Sequence, residues 1–271
     1  MGGQLRSIEK PMIMGILNVT PDSFYDGGMY QSSELIGLRA ERMIEDGAAI
    51  LDVGACSTRP GAKEPDEKTE RERLDRALNV LRENNPDVLI SIDTYRAGIA
   101  EWAVKEYGVQ MINDISGGNM DPKMVKTIGK LRVAYVVMHM LGTPRTMQAS
   151  PEYSDVFQEI SRFFALRIRD LNEAGAADII LDPGFGFGKT VEHNFELLSR
   201  LPEFDLFGRP ILVGISRKSM IYKVLNGVPE TSLNGTTVAN AVALLKGAGI
   251  LRVHDVKQAH ECIELIDKIK N

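Results

Sequence analysis

Eight short apolar runs recur along the chain with helix-compatible segments between them, and no other feature narrows the fold so far. They are PMIMGIL around Met12, AAILDV around Ile50, VLISID around Ile90, VQMIND around Ile112, VAYVVM around Val136, ADIIL around Ile180, PILVGI around Leu212 and ILRV around Leu251. Their apolar residues are continuous rather than alternating, the pattern of strands covered on both faces in a parallel sheet. Residues 32–46 carry apolar side chains at 35, 36, 38, 40, 43 and 44, residues 68–81 place leucines at 74, 78 and 81 on one face, and residues 156–171 repeat the helical spacing. Eight strand-helix alternations in 271 residues, close to the ~250 typical of one barrel, predict a single (β/α)8 TIM barrel domain spanning residues 1–271. An open doubly wound sheet, with fewer strands and a topological switch point, is the alternative.

Composition removes several function classes. The 32 basic residues against 37 acidic ones leave a net charge of −5, so there is no general basic footprint for nucleic acid or an anionic membrane, and any anion site must be local. No run approaches the ~18 apolar residues of a membrane span, and MGGQLRSIEK at the start lacks the apolar stretch of a signal peptide, so a cytoplasmic location is expected. Gly2 invites myristoylation, but Arg6 stands where that motif wants Ser or Thr. Cys56 and Cys262 are the only cysteines, too few for a disulfide framework, and are expected to be reduced thiols.

In such a barrel the C-terminal ends of the strands converge on one face, and active sites lie there. The ends read from this sequence are Asn18; Asp52, followed by Ser57, Thr58 and Arg59; Asp93; Asn113 and Asp114; Met138 and His139; Asp182; Gly214, leading to Ser216, Arg217, Lys218 and Ser219; and Arg252 with His254 and Asp255. Any one of them could cap a helix or open a turn, as Asp93 before Thr94 and Asp182 before Pro183 illustrate. Independent caps do not explain why so many strand ends carry amide, carboxylate, guanidinium, ammonium or imidazole groups to a common face. Together they fit a flat hydrogen-bonding ligand with an anion beside it. If Ser216 or a neighbour caps the next helix, Arg217 and Lys218 lie in its first turn, where the macrodipole disfavours cations by ~0.3–1 kcal/mol each. With Arg252 and His254 they fall in the region of strands seven and eight that commonly holds phosphate; solvated surface cations are the plain alternative. Met138 is placed to form an apolar floor under a ring.

Other motifs fail. PGFGFGKT at 183–190 ends like a phosphate-binding loop, but Pro183 occupies the position of the required first Gly, and the glycine spacing is not that of a dinucleotide finger. His139, His193, His254 and His260 form no paired ligand spacing, and two distant cysteines make no zinc site.

The segments MGILNVTPDSFYDGG (14–28), DVGACSTRPGA (52–62), SIDTYR, NDISGG, MHMLGTPRTMQ, LDPGFGFGKT, GISRKS and LRVHDV, in this order and over nearly the whole chain, resemble the dihydropteroate synthase family of pterin-binding enzymes. Related pterin-binding methyltransferase domains share the barrel, but NVTPDSF and SRKS look like the synthase. The resemblance implies a transferase of folate biosynthesis in which 4-aminobenzoate attacks the methylene of 6-hydroxymethyl-7,8-dihydropterin diphosphate, giving 7,8-dihydropteroate and diphosphate with Mg2+ assistance. It also implies a homodimer through outer helices and competition by sulfonamides. Carried over residue by residue, it places Asp93, Asn113, Asp182 and Lys218 on the pterin edge, Met138 in the pterin site, Arg252 on the pterin face, Arg252 and His254 on the leaving diphosphate, and Asn18 on Mg2+. Lys218, Arg252, His254 and Asp93 are the implied catalytic residues. Thr58 and Arg59 would belong to a loop closing over the site, and Phe24, Pro60, Phe187, Lys218 and Ser219 would border the aminobenzoate pocket. Cys56 departs from the pattern, since many members have Glu there, and no catalytic role is expected of it.

The chemistry of the residues agrees. A pterin presents amino and ring N–H donors suited to carboxylates, Asp182 above all, while its carbonyl and ring nitrogen accept from Lys or Asn. Loss of diphosphate needs charge neutralisation by Arg, protonated His or Mg2+ and no side-chain nucleophile, so a dissociative substitution is expected. The first two loops are expected to form a lid that excludes water. A folate-using methyltransferase and a non-catalytic pterin-binding barrel remain as alternatives.

Overall fold

In the computed structural model, which describes residues 10–20, 29–56, 64–143, 147, 151–176 and 178–270, the eight apolar runs all enter one sheet. Its strands are β1 (Met12–Asn18), β2 (Ile50–Gly54), β3 (Leu89–Asp93), β4 (Met111–Asp114), β5 (Ala134–Met138), β6 (Ile179–Asp182), β7 (Leu212–Val213) and β8 (Ile250–Val253). All pair in parallel in the order β6-β5-β4-β3-β2-β1-β8-β7. The two ends of that order meet: Leu181 bridges Ile211 in parallel, and the Leu181 N–H donates to the Pro210 carbonyl at 2.9 Å. The sheet therefore closes into a (β/α)8 TIM barrel, which excludes the open doubly wound alternative.

The helices are α1 (Met29–Glu45), α2 (Glu67–Asn84), α3 (Ala97–Tyr107), α4 (Met124–Leu131), α5 (Val156–Glu173), α6 (Val191–Ser199), α7 (Ser219–Tyr222), α8 (Leu233–Leu245) and α9 (Val256–Lys270). The helical spacings at 32–46, 68–81 and 156–171 correspond to α1, α2 and α5. Side-chain caps fix two of the starts: Asp66 accepts from Thr69 N at 2.7 Å and Asp155 from Gln158 N at 2.8 Å. The seventh repeat is less regular than its sequence pattern. The PILVGI run yields only a short strand, because Pro210 has no N–H for the ladder and Gly214 already leads out of it. The chain then makes the single turn α7, a 3-10 turn at Pro229–Thr231 and the longer α8.

Side-chain alternation divides the core in two. Ile13, Leu51, Val53, Ile90, Ile92 and Leu251 point outward and pack beneath the helices, whereas Met14, Ile50, Leu89, Met111, Ile180 and Ile250 point inward and plug the barrel. Two residues further along β2, β3, β4, β6 and β8, the same inner face carries Asp52, Ser91, Asn113, Asp182 and Arg252. Another step brings Asn18, Gly54, Asp93 and His254 to the mouth. An apolar plug thus underlies a polar layer and a polar rim. Among the described residues, no helix is long and apolar enough to cross a membrane.

Candidate active site

The polar layer is organised around Arg252. Its Nε donates to Asp52 Oδ2 and its Nη2 to Asp93 Oδ2, both at 2.7 Å, so carboxylates from β2 and β3 hold one guanidinium from β8. Burial works against that charge, but Asp52 and Asp93 outweigh it and keep Arg252 above its ordinary pKa. Asp52 Oδ2 also accepts from Asn113 Nδ2 at 2.9 Å. Burial pushes the Asp93 carboxyl up to about 7; Arg252 opposes the rise, while Asp52, Glu70 and Asp114 add to it.

Across the mouth, Asp182 is buried at the end of β6, where its Oδ1 accepts from Gly184 N at 2.7 Å. Burial raises its pKa against the nearby Lys218 charge. Lys218 Nζ donates to the Phe185 carbonyl at 2.6 Å and lies 4.6 Å from the centre of the Phe187 ring. Burial lowers that ammonium to about 8, with Asp182 resisting. A Cβ built on Gly214 would lie 3.9 Å from Lys218 Nζ and 3.8 Å from Arg252 Cβ, so the Lys218 ammonium and the stem of Arg252 pass close to this glycine. A Cβ on Gly54 would likewise lie 3.3 Å from Asn18 Oδ1 and 3.6 Å from Asp93 Oδ2. Met138, with Ile115, Met140 and Met147, forms a small apolar cluster against which Phe187 and Tyr95 pack. Ser219 begins α7 immediately after Lys218. Phe24, Thr58, Arg59 and Pro60 lie outside the described residues.

The anion side differs from the sequence expectation. Lys218 is the N-cap rather than a first-turn residue of α7, and Arg217 precedes it in a left-handed conformation with φ of 55°. That backbone turn sends the two neighbours apart. Arg217 donates to Asp255 Oδ2 and Oδ1 at 2.9 and 2.8 Å and to the carbonyls of Pro229 and Glu230 at 3.0 Å each, so it braces the region after β7 instead of offering its charge to a ligand. Arg217 lies outside the first turn of α7 and so carries no macrodipole penalty.

His254 stands exposed at the rim. Ser216 Oγ accepts from the His254 backbone N–H at 3.2 Å and lies 3.1 Å from the ring Nδ1, a contact that orients the imidazole. The surrounding protein disfavours the charged ring, Arg252 adds repulsion, and the pKa falls to about 4. In the ligand-free chain these surroundings favour the neutral ring of His254, whereas the sequence chemistry invokes the cation.

Asp114 faces the other way from Asn113. Its carboxylate accepts from Ser116 N, Ser116 Oγ and Tyr135 OH at 2.7 Å and from Gly118 N at 2.9 Å, shaping the loop after β4. Cys56 lies 3.8 Å from Arg96 Nη1, and burial, then Glu70, pushes its thiol up to about 12. It stays protonated. Arg96 itself pairs with buried Glu70 and reaches Glu64 Oε1 at 2.9 Å and the Pro65 carbonyl at 2.8 Å.

Sequence reasoning misses two residues. Asp52 stands out there only as a strand end, although a carboxylate between Leu51 and Val53 in a buried strand is an available signal. Lys189 shows only as the end of a failed phosphate loop. Its buried ammonium donates to the carbonyls of Gly184 at 2.9 Å, Phe187 at 3.1 Å and His139 at 3.3 Å, and lies 3.2 Å from His139 Nδ1. Burial lowers it to about 7. Gly184, at φ 71°, must be glycine for this loop to close, because a Cβ would sit 1.9 Å from the His139 carbonyl oxygen.

A family model described as pterin binding enzyme matches residues 14–254, the span that holds every strand end of this site. The chain belongs to the pterin-binding enzyme family. Within that family, dihydropteroate synthase of Escherichia coli strain K12 is 42% identical over 267 residues, covering 98% of this chain and 94% of the relative. The structure of Clostridium difficile dihydropteroate synthase in the presence of pteroic acid superposes with a TM-score of 0.91 at 39% identity, covering 98% of this chain and 99% of that one. The Yersinia pestis dihydropteroate synthase in complex with a sulfonamide drug gives a TM-score of 0.88 at 39% identity, covering 99% and 97%.

Proposed function

We propose that this chain is a dihydropteroate synthase, joining 6-hydroxymethyl-7,8-dihydropterin diphosphate to 4-aminobenzoate with release of diphosphate. The observation that carries the reading is the convergence of Asp93, Asn113, Asp182, Lys218 and Arg252 on one inner face beside the Met138 cluster. That arrangement matches a flat heterocycle with donors and acceptors around its edge.

In this reading Asp182 accepts from the amino and ring N–H groups of the pterin. Asn113, Lys218 and Asp93 take the rest of its edge, and Arg252 covers its face. Asp93, titrating near neutrality, can hold or release a proton at a ring nitrogen. His254 donates from Nε2 to a departing phosphate oxygen, beside Arg252. The C–O bond of the methylene breaks first, its electron pair leaving on diphosphate. The amine nitrogen then forms the C–N bond and loses its proton. Phe187, Lys218 and Ser219 border the aminobenzoate, where sulfonamides would compete; the pocket and loop roles expected of Phe24, Thr58, Arg59 and Pro60 fall outside the described residues.

Asn18 is the residue that would hold Mg2+. Its amide oxygen stands at the rim beside Asp93, a hard donor suited to an ion that takes most of its remaining ligands from phosphate and water. Bound there, Mg2+ would neutralise charge on the diphosphate. The free thiols Cys56 and Cys262 fit a reducing, cytoplasmic setting. Exposed Val224, Leu225 and Val228 after α7 and Val238 and Leu245 on α8 support a homodimer through the outer helices.

Diphosphate release on mixing both substrates with the protein and Mg2+ is the decisive assay. A folate-dependent methyltransferase would release none, and a binding barrel would hold pterin without turnover.

A further inference from the structure

Asp52 is fully buried, at 0% exposure, beneath the groups assigned to the pterin, and so is out of reach of substrate. One oxygen makes all its hydrogen bonds: Oδ2 receives both Arg252 Nε and Asn113 Nδ2, while Oδ1 is buried without a partner. The hydroxyl of Ser91, its register neighbour on β3, is also buried without a partner. An ionised carboxylate only accepts, so Asp52 dictates which end of the Asn113 amide faces it and leaves the Asn113 carbonyl oxygen for the other side.

Building on the proposed pterin site, we propose that Asp52 is its positioning residue, aiming the Arg252 guanidinium and fixing the orientation of the Asn113 amide from below.

The uneven use of the two oxygens makes a clean test possible. Asp52→Asn can keep both hydrogen bonds on its carbonyl oxygen and turn its NH2 towards Ser91, which removes charge but not support. Asp52→Ala removes both. Asp52→Ala is expected to lower kcat by about 100-fold, the scale of a ~1 Å misplacement, with the KM for 4-aminobenzoate within about twofold of wild type. Asp52→Asn is expected to keep kcat within about tenfold. Pteroate affinity, measured by titration calorimetry, reads the same support without turnover: Asp52→Ala is expected to bind at least about tenfold more weakly than wild type and Asp52→Asn within about threefold. Wild-type kcat and pteroate affinity in Asp52→Ala, or an Asp52→Asn enzyme no better than Asp52→Ala, overturns the proposal. Should Asp52→Ala not fold, kcat and pteroate affinity of Asp52→Asn decide, and their loss overturns it. A wild type that releases no diphosphate would instead defeat the synthase reading and leave the affinity comparison standing.

Discussion

At the scale of the residue, burial does most of the chemical tuning. Asp182 is raised by its surroundings yet faces Lys218 and takes a backbone N–H, a balance that suits a carboxylate waiting for donors on a ligand. Asp182→Asn keeps the shape and is expected to weaken pterin affinity by at least ~1–3 kcal/mol, measured by titration calorimetry, with the fold intact by circular dichroism. Unchanged affinity would remove Asp182 from the site. Asp93 gives a pH prediction. Its folded pKa of about 7 lies above the unfolded value of ~3.9, so its contribution to stability is complete below the unfolded value and is lost as pH rises through the folded one. Between pH 5 and 8 the urea midpoint of the ligand-free wild type should fall by more than that of Asp93→Asn. Equal slopes would show that Asp93 titrates normally.

At the scale of the element, the strands are readable from the sequence and the loops are not. Strand residues such as Ile50, Asp52 and Gly54 share a face because alternation has a fixed period, so polar residues at strand ends can be assigned to one mouth from the sequence alone. Arg217 and Lys218 are adjacent in sequence and alike in charge, yet only Lys218 turns to the site. The left-handed turn at Arg217 and its partner Asp255 decide this, and neither shows as a local pattern. Asp52 shows in the sequence only as one more strand end and Lys189 only as a loop residue, because their partners Arg252 and His139 lie far along the chain from them. In the β6–α6 loop, Lys189 satisfies inward carbonyls while Phe185 offers its own to Lys218. Lys189→Met should therefore raise the KM for 4-aminobenzoate, whose proposed pocket includes Phe187, more than the KM for the pterin substrate. An equal change in both, or none, would contradict that division. Arg217→Ala should lower the thermal midpoint while leaving the KM for pterin diphosphate near wild type. A large rise in that KM would return Arg217 to the anion site.

At the scale of the whole molecule, the closed sheet ties the two ends of the chain together, since β1 pairs with β8 as well as β2. A ligand on the inner face touches residues from many repeats, so pteroate binding should raise the thermal midpoint of the entire cooperative unit in a concentration-dependent way. Sedimentation equilibrium tests the proposed dimer, and a variant carrying charge at Leu225 and Val238 should dissociate it. A monomer at all concentrations would leave those apolar side chains unexplained. Because Met14, Ile50, Leu89, Met111 and Ile250 stop the barrel from below, the site is a cul-de-sac. Everything that enters must back out through the same doorway. A lingering conjugate product then bars the next heterocycle from its seat, so inhibition by dihydropteroate should compete with the pterin diphosphate.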